Sequence, residues 1–195
     1  MGSIPTRGAV SIKYYLESKL TESSENRFNF FGQSVTIVGH EIALGQIAPE
    51  FNTQAFNWTT VDALASTEGK IRIIGALPSL NTPICDKETR KFNEIADALG
   101  PEVVIIMVSM DLPWTQKHWC TASRVDQVLV LSDHINADFG IKYGVLLEEP
   151  RVLRRAIFIV DKTNVVRYVK YMPSLGDEPD YNEVLKITQE IIKSS

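Results

Sequence analysis

Apolar runs alternate with amphipathic stretches through the middle of the chain. Three short runs rich in Val, Ile and Leu are typical of buried strands: residues 71–77, 103–108 and 128–131. Between the first two runs, apolar residues recur at helical spacing with charged residues among them: Phe92, Ile95, Ala96 and Leu99. Because a strand, a helix and a strand in this order form a right-handed parallel crossover, the pattern predicts an α/β domain built on a helix-covered sheet.

The segments on either side of this core predict additional strands and helices. Residues 28–31 and 35–38 are predicted to form a β-hairpin around a turn at 32–34, and 49–51 and 57–61 are weaker extended candidates. Toward the C-terminus we predict a helix, a second hairpin and a closing helix, in that order: 137–143, 155–160 paired with 165–171, and 180–193.

The first 27 residues do not continue this pattern. Ile12, Tyr15, Leu16 and Leu20 form one face of a predicted short helix, and the polar stretch that follows resembles a linker. A chain of 195 residues suits one domain with a sizeable core. We therefore predict an N-terminal extension or leader at 1–27 and a single domain at 28–195.

Charge and hydropathy limit the kinds of molecule that the chain is expected to bind. The 20 Lys and Arg residues are balanced by 24 Asp and Glu residues, giving a formal net charge of −4, and no basic run could follow a phosphate backbone. No apolar stretch is long enough to span a bilayer, and no signal-peptide core follows Met1. We expect a cytoplasmic protein that binds neither nucleic acid nor membranes.

The strongest chemical signal is a cysteine at the predicted start of the central helix. Thr82 can cap this helix and Pro83 can be its first residue, which places Cys85 in the first turn. Free backbone N–H groups and the helix dipole favour an anion there, and therefore the reactive thiolate. The negative charges of Asp86 and Glu88 disfavour a thiolate at Cys85, so a cation is expected to reach this residue from elsewhere.

These residues carry a resemblance to a known family. Pro78, Thr82 and Cys85 reproduce the Pro-x-x-x-Thr-x-x-Cys pattern of the peroxiredoxins. Blocks at 109–120 and 155–161 are similar to segments of the thiol peroxidases, the atypical two-cysteine branch of that family. The resemblance runs from about Phe30 to the C-terminus. It implies a thioredoxin-like fold, with a central mixed sheet flanked by helices and an N-terminal β-hairpin.

The resemblance also implies a mechanism. Cys85 would attack hydrogen peroxide or an organic hydroperoxide and become a sulfenic acid, and Cys120 would then form an intramolecular disulfide with it. Thr82 would contact the thiolate and the peroxide, Arg155 would supply the missing cation, and Pro78 would shape the pocket. Thioredoxin or a similar dithiol would restore both thiols. The resemblance also implies a homodimer, and it implies that the chain needs no metal, flavin or nicotinamide.

Several alternatives remain open on the residues alone. Arg154 adjoins Arg155 but would face the other way on a strand, so the motif favours Arg155. A thiol–disulfide exchange protein without peroxidase activity is a second hypothesis, although the sequence contains no Cys-x-x-Cys. A non-catalytic interaction module is a third, in which Cys85 is an unreactive core thiol. For the peroxidase, we expect the Cys120 segment to unwind locally on oxidation.

Overall fold

The computed structural model describes residues 26–194, so the predicted helix at 12–20 lies outside the described residues. The strands are β1 to β11: Arg27–Phe30, Gln33–Val38, Asn52–Gln54, Thr60–Asp62, Ile71–Ala76, Val103–Ser109, Leu129–Ser132, Leu146–Leu147, Val152–Leu153, Ala156–Val160 and Val166–Tyr171. The α-helices are α1 to α4: Pro83–Leu99, Pro113–Ser123, Asp138–Lys142 and Tyr181–Ser194. Within the described range, none of these helices has the length and apolar composition needed to cross a membrane.

A seven-stranded mixed sheet forms the centre of the fold. Its strand order is β11-β10-β5-β6-β7-β3-β4, with β5, β6 and β7 parallel and the outer pairs antiparallel. Alternate residues of β5 face opposite sides: Ile71 and Ile73 pack with α1, α2 and α4, whereas Ile74 and Ala76 pack with α3. The predicted α/β fold with a central mixed sheet flanked by helices is confirmed.

The N-terminal hairpin is present, but its turn is tighter than predicted. The turn contains only Phe31 and Gly32, and β2 begins at Gln33 rather than at Val35. Both turn residues have positive φ, +51° and +85°, which matches the twist of the flanking strands. The hairpin joins β8 and β9 in a separate four-stranded sheet of order β1-β2-β8-β9, and the sequence pattern did not predict those two strands.

Some predicted boundaries are wrong by a few residues. The weak extended candidates at 49–51 and 57–61 are displaced, because the strands are β3 and β4 and Trp58 lies in the turn between them, with φ +67°. The predicted helix at 137–143 is shorter, since Ala137 has a left-handed conformation and α3 starts after it. The predicted strand at 155–160 begins one residue later, so Arg155 lies just before β10.

Candidate active site

Cys85 lies where the chain leaves β5 and enters α1. Thr82 is the N-cap of α1: its hydroxyl oxygen accepts a hydrogen bond from the Cys85 backbone N–H at 3.4 Å and donates to the carbonyl of Ser79 at 3.0 Å. Pro83 is the first helical residue, where a missing N–H leaves no bond unmade. The Cys85 side chain is fully buried. The helix start predicted from Thr82 and Pro83 is confirmed.

The cation beside the thiol is Arg155. Its Nη2 lies 3.3 Å from Cys85 Sγ, and the side chain is only 1% exposed. Pairing of β10 with β5, with Ala156 opposite Ala76, brings the guanidinium to the start of α1. Arg154 faces away from the thiol, and its guanidinium lies 4.2 Å from the centre of the Tyr171 ring. The two neighbouring side chains therefore point in different directions, as expected from the alternation that favours Arg155 over Arg154.

Glu88 pairs with Arg155 on its other side. It lies one turn after Cys85 on the buried face of α1, and its Oε2 accepts a hydrogen bond from Arg155 Nη1. Among residues 26–194, Oε1 of Glu88 and Nε of Arg155 have no hydrogen-bond partner. Burial raises the pKa of Glu88 to about 7, and the charge of Arg155 opposes this rise. The expectation that Glu88 only opposes the thiolate is corrected, because its charge is directed at Arg155.

The elevated pKa of Glu88 predicts a pH dependence of stability. Below pH about 4.5, Glu88 is protonated in both the folded and unfolded chains. Between pH about 4.5 and about 7 the unfolded chain loses this proton while the folded chain keeps it, so rising pH favours unfolding. We expect this residue to lower the free energy of unfolding by on the order of 3 kcal/mol across that window. Urea titrations of wild type and Glu88→Gln at several pH values test it, and parallel curves would contradict it.

Asp86 is also engaged rather than free to repel a thiolate. Its Oδ2 accepts from Arg90 Nε at 2.9 Å, and its Oδ1 accepts from the indole N–H of Trp119 at 3.1 Å. Trp119 belongs to α2, the helix that carries Cys120. Asp86 therefore connects the helices that carry the two cysteines.

Cys120 lies in the last turns of α2 and points into the same apolar cluster as Cys85. Both cysteines are free thiols. Cys120 is 6% exposed, and burial raises the pKa of its thiol to about 11. Since the thiolate is the nucleophile, this burial disfavours reaction of Cys120 while α2 remains folded.

Asp111 fixes the loop that precedes the Cys85 helix. It follows β6 and lies two residues before α2. Its carboxylate accepts from the Ser79 hydroxyl at 2.7 Å and from the Leu80 backbone N–H at 2.8 Å. The Ser109 hydroxyl donates to the same carboxylate at 2.8 Å. The loop between β5 and α1 is thus attached to the chain segment that leads into α2.

An apolar cavity of about 450 Å³ opens beside the start of α1, and residues adjacent to the fully buried Cys85 line it. Residues from the loop between β5 and α1 line one side, including Pro78 and Thr82, and Arg155 lies in its wall. The N-terminal hairpin contributes Phe30 and Phe31, and Phe31 is 84% exposed at the mouth. The remaining lining residues are mostly apolar: Ser79, Pro83, Ile84, Val152, Leu175 and Gly176. This cavity can hold the apolar part of a small molecule whose polar end meets the guanidinium.

Comparison with known proteins agrees with this arrangement. The Redoxin family model matches residues 43–185. A thiol peroxidase of Oceanobacillus iheyensis is 44% identical over 156 residues, covering 80% of this chain and 94% of that protein. The thiol peroxidase of Bacillus subtilis is 38% identical over 164 residues, with 84% and 97% covered. The chain belongs to the thiol peroxidases of the peroxiredoxin family.

Solved structures share the fold of this chain. A crystal structure of a peroxiredoxin-like protein from Aquifex aeolicus is 37% identical and superposes with a TM-score of 0.76, covering 85% of this chain and 97% of that one. A thiol peroxidase from Chromobacterium violaceum shares the fold at 21% identity, with a TM-score of 0.77 and coverage of 88% and 100%.

Glu88 is the main residue of this thiol peroxidase site that sequence reasoning misjudged. A signal for it was available, because Glu88 lies three residues after Cys85 and four before Phe92, on the apolar face of α1. A carboxylate on a buried face requires a cationic partner. Asp111 offered no comparable signal, since its contacts depend on how two separate loops meet.

Proposed function

We propose that the chain is a thiol-dependent peroxidase in which Cys85 attacks the terminal oxygen of a hydroperoxide. The O–O bond breaks, and its electron pair leaves on the second oxygen, which takes up a proton and departs as water or an alcohol. The peroxide is reduced and the Cys85 thiol is oxidised to a sulfenic acid. The contact of 3.3 Å between Arg155 Nη2 and Cys85 Sγ carries this proposal, because it supplies the expected cation to the thiol, and Arg155 also lines the apolar cavity.

The neighbouring groups have distinct roles in this step. Arg155 stabilises the thiolate and the charge that develops on the departing oxygen. Thr82 presents a hydroxyl beside the first turn of α1, which can bond the thiolate or the peroxide by turning from the Ser79 carbonyl to which it donates. Pro78 lines the cavity without a backbone N–H that would need a partner. Each of these roles is a proposal that rests on position and chemistry.

Cys120 completes the cycle. Its thiolate attacks the sulfenic sulfur of Cys85, water leaves, and an intramolecular disulfide forms. Thioredoxin or a similar dithiol then reduces that disulfide to two thiols. The shared apolar cluster of the two cysteines supports this pairing, and the burial of Cys120 supports a local opening of α2 before attack. A homodimer and a cytoplasmic location remain predictions from the family resemblance and from the sequence, respectively.

Mass spectrometry after one equivalent of peroxide tests this function. We expect the wild-type chain to lose about 2 Da as the disulfide forms, and the loss to reverse with a dithiol. Under limiting dithiol, peroxide should disappear in proportion to the dithiol supplied. A thiol–disulfide exchange protein would leave the peroxide untouched, and an unchanged mass would contradict the proposal.

The apolar walls of the cavity favour hydroperoxides that carry an apolar group. Phe31→Asn is expected to lower kcat/KM for cumene hydroperoxide about tenfold, since part of an aromatic contact is worth on the order of 1.4 kcal/mol. The rate with hydrogen peroxide, which has no apolar group, should not change. Asparagine tolerates the positive φ of this turn, so the hairpin is retained.

Leu44→Asn is the matched control for that comparison. Leu44 is also an exposed apolar residue, but it does not line the cavity. Steady-state kinetics with both peroxides should therefore leave Leu44→Asn equal to wild type. If Phe31→Asn slows both peroxides equally, the ring does not select the substrate.

A further inference from the structure

Polar contacts fasten the end of the Cys120 helix to the Cys85 helix. Arg90, on α1, directs Nη1 to the backbone carbonyl of Ser123 at 3.0 Å and Nη2 to its hydroxyl at 2.7 Å. Its Nε donates to Asp86, which also accepts from the indole N–H of Trp119. The guanidinium lies 5.7 Å from the Trp119 ring centre. We refer to Asp86 and Arg90 together as the α1 clamp.

The α1 clamp acts on the turn that contains the second cysteine. Ser123 is the last residue of α2, and Arg124 ends the helix in a left-handed conformation. The carbonyl of Cys120 accepts from the Val125 backbone N–H in this same turn, at 3.0 Å. The first half of α2 is held separately, because buried Gln116 donates to the Ser109 hydroxyl and to the Leu131 carbonyl. Loss of the clamp would therefore release the Cys120 end while the other end stays in place.

Release of this turn controls the availability of a nucleophile. Burial gives the Cys120 thiol a pKa of about 11, so roughly one molecule in ten thousand is a thiolate at pH 7. An exposed cysteine, with a pKa near ~8.5, is about 3% thiolate. Opening of α2 therefore raises the concentration of attacking thiolate on the order of a hundredfold.

A competing reaction makes the timing of this opening important. The Cys85 sulfenic acid can react with Cys120, which releases water and forms the disulfide. It can instead react with a second hydroperoxide, which oxidises the sulfur to a sulfinic acid and leaves water or an alcohol. A dithiol reduces the disulfide back to two thiols, but it does not reduce the sulfinic acid.

We propose that Asp86 and Arg90 are positioning residues that set the opening rate of α2 and so divide the Cys85 sulfenic acid between disulfide formation and over-oxidation. This inference rests on the proposed peroxidase function. The ion pair between the two residues is half-exposed and contributes little by itself. Most of the effect should come from the contacts that Arg90 and Asp86 make to α2, since only these are lost when α2 opens.

A test that needs no peroxide chemistry uses alkylation of Cys120 in a Cys85→Ser background. Arg90→Lys keeps the positive charge but cannot reproduce the two-pronged contact with Ser123. We expect it to accelerate iodoacetamide labelling of Cys120 about tenfold, as loss of a charge-assisted contact allows. Asp86→Asn, which keeps the shape of the side chain and an oxygen for the Trp119 N–H but removes the charge that faces Arg90, should accelerate labelling less. Lys91→Arg is the control, because Lys91 forms an ion pair with Glu94 on its own helix.

Over-oxidation in the two-cysteine protein supplies the second measurement. The hydroperoxide concentration that inactivates half of the enzyme during turnover should rise several-fold in Arg90→Lys, while the rate of the first peroxide reaction should stay unchanged. Equal labelling of Cys120 in Arg90→Lys and Lys91→Arg would overturn the clamp. Faster labelling with an unchanged inactivation threshold would overturn its role in dividing the sulfenic acid. Failure of wild type to consume peroxide would instead contradict the proposed function, and the labelling result would stand.

Discussion

Cys85→Ser is expected to abolish hydroperoxide consumption, whereas Cys120→Ser is expected to consume about one equivalent and then stop. Cys85 has the guanidinium of Arg155 at 3.3 Å, while burial raises the pKa of the Cys120 thiol to about 11. Burial therefore makes Cys120 a much weaker attacking nucleophile than Cys85 is expected to be. Peroxide loss can be followed colourimetrically with stoichiometric protein and no reductant.

The masses of the products distinguish the two roles further. Cys120→Ser should gain about 16 Da as a sulfenic acid, and about 32 Da when peroxide is in excess. The sulfenic acid should be trapped by dimedone in this variant and not in Cys85→Ser. Equal peroxide consumption by the two variants would show that the assignment of the cysteines is wrong.

Arg155→Met is expected to slow the first peroxide reaction at least about 100-fold, the effect of removing one preorganised donor from a developing charge. It should also lower the free energy of unfolding by about 3 kcal/mol, because Glu88 then remains buried without its partner. Stopped-flow tryptophan fluorescence measures the rate, and urea titration measures the stability.

The double variant Arg155→Met, Glu88→Gln separates these two effects. Removing the carboxylate's charge should restore most of the lost stability and none of the lost rate. Arg154→Met is the control for reactivity, since Arg154 contacts Glu41 and Tyr171 rather than the thiol. A double variant that regains the rate would show that Arg155 acts only through folding.

The parts of this fold that could be predicted are those set by local patterns. Strand β6 is an apolar run up to its last residue, and β5 is apolar apart from Arg72. The cap at Thr82 with Pro83 after it fixes the start of α1 within one residue. Strands β8 and β9 contain two residues each, too few for a periodicity to be recognised. Their pairing with the N-terminal hairpin is a long-range contact that no local pattern specifies.

The candidate site shows the same division. Cys85 and Thr82 could be placed because a helix start is a local motif, and Arg155 because the motif of its strand resembles that of the peroxiredoxins. Asp86 forms an ion pair with Arg90 four residues later on the same helix, a partner that local spacing can predict. Its contact with Trp119 of α2, and the pairing of Glu88 with Arg155 just before β10, depend on long-range packing and could not be inferred from nearby charge.

The origin of the thiol's cation has a consequence for biosynthesis. Arg155 lies 70 residues after Cys85, and it reaches the thiol only through pairing of β10 with β5. At usual rates of translation, roughly 4 to 14 s separate the synthesis of the two residues. During that interval the nascent chain carries a cysteine without its guanidinium. Without this activation the thiol should react slowly with peroxide. A fragment that ends before residue 155 would keep the thiol and lack its activation, so peroxide sensitivity is acquired only when the sheet is complete.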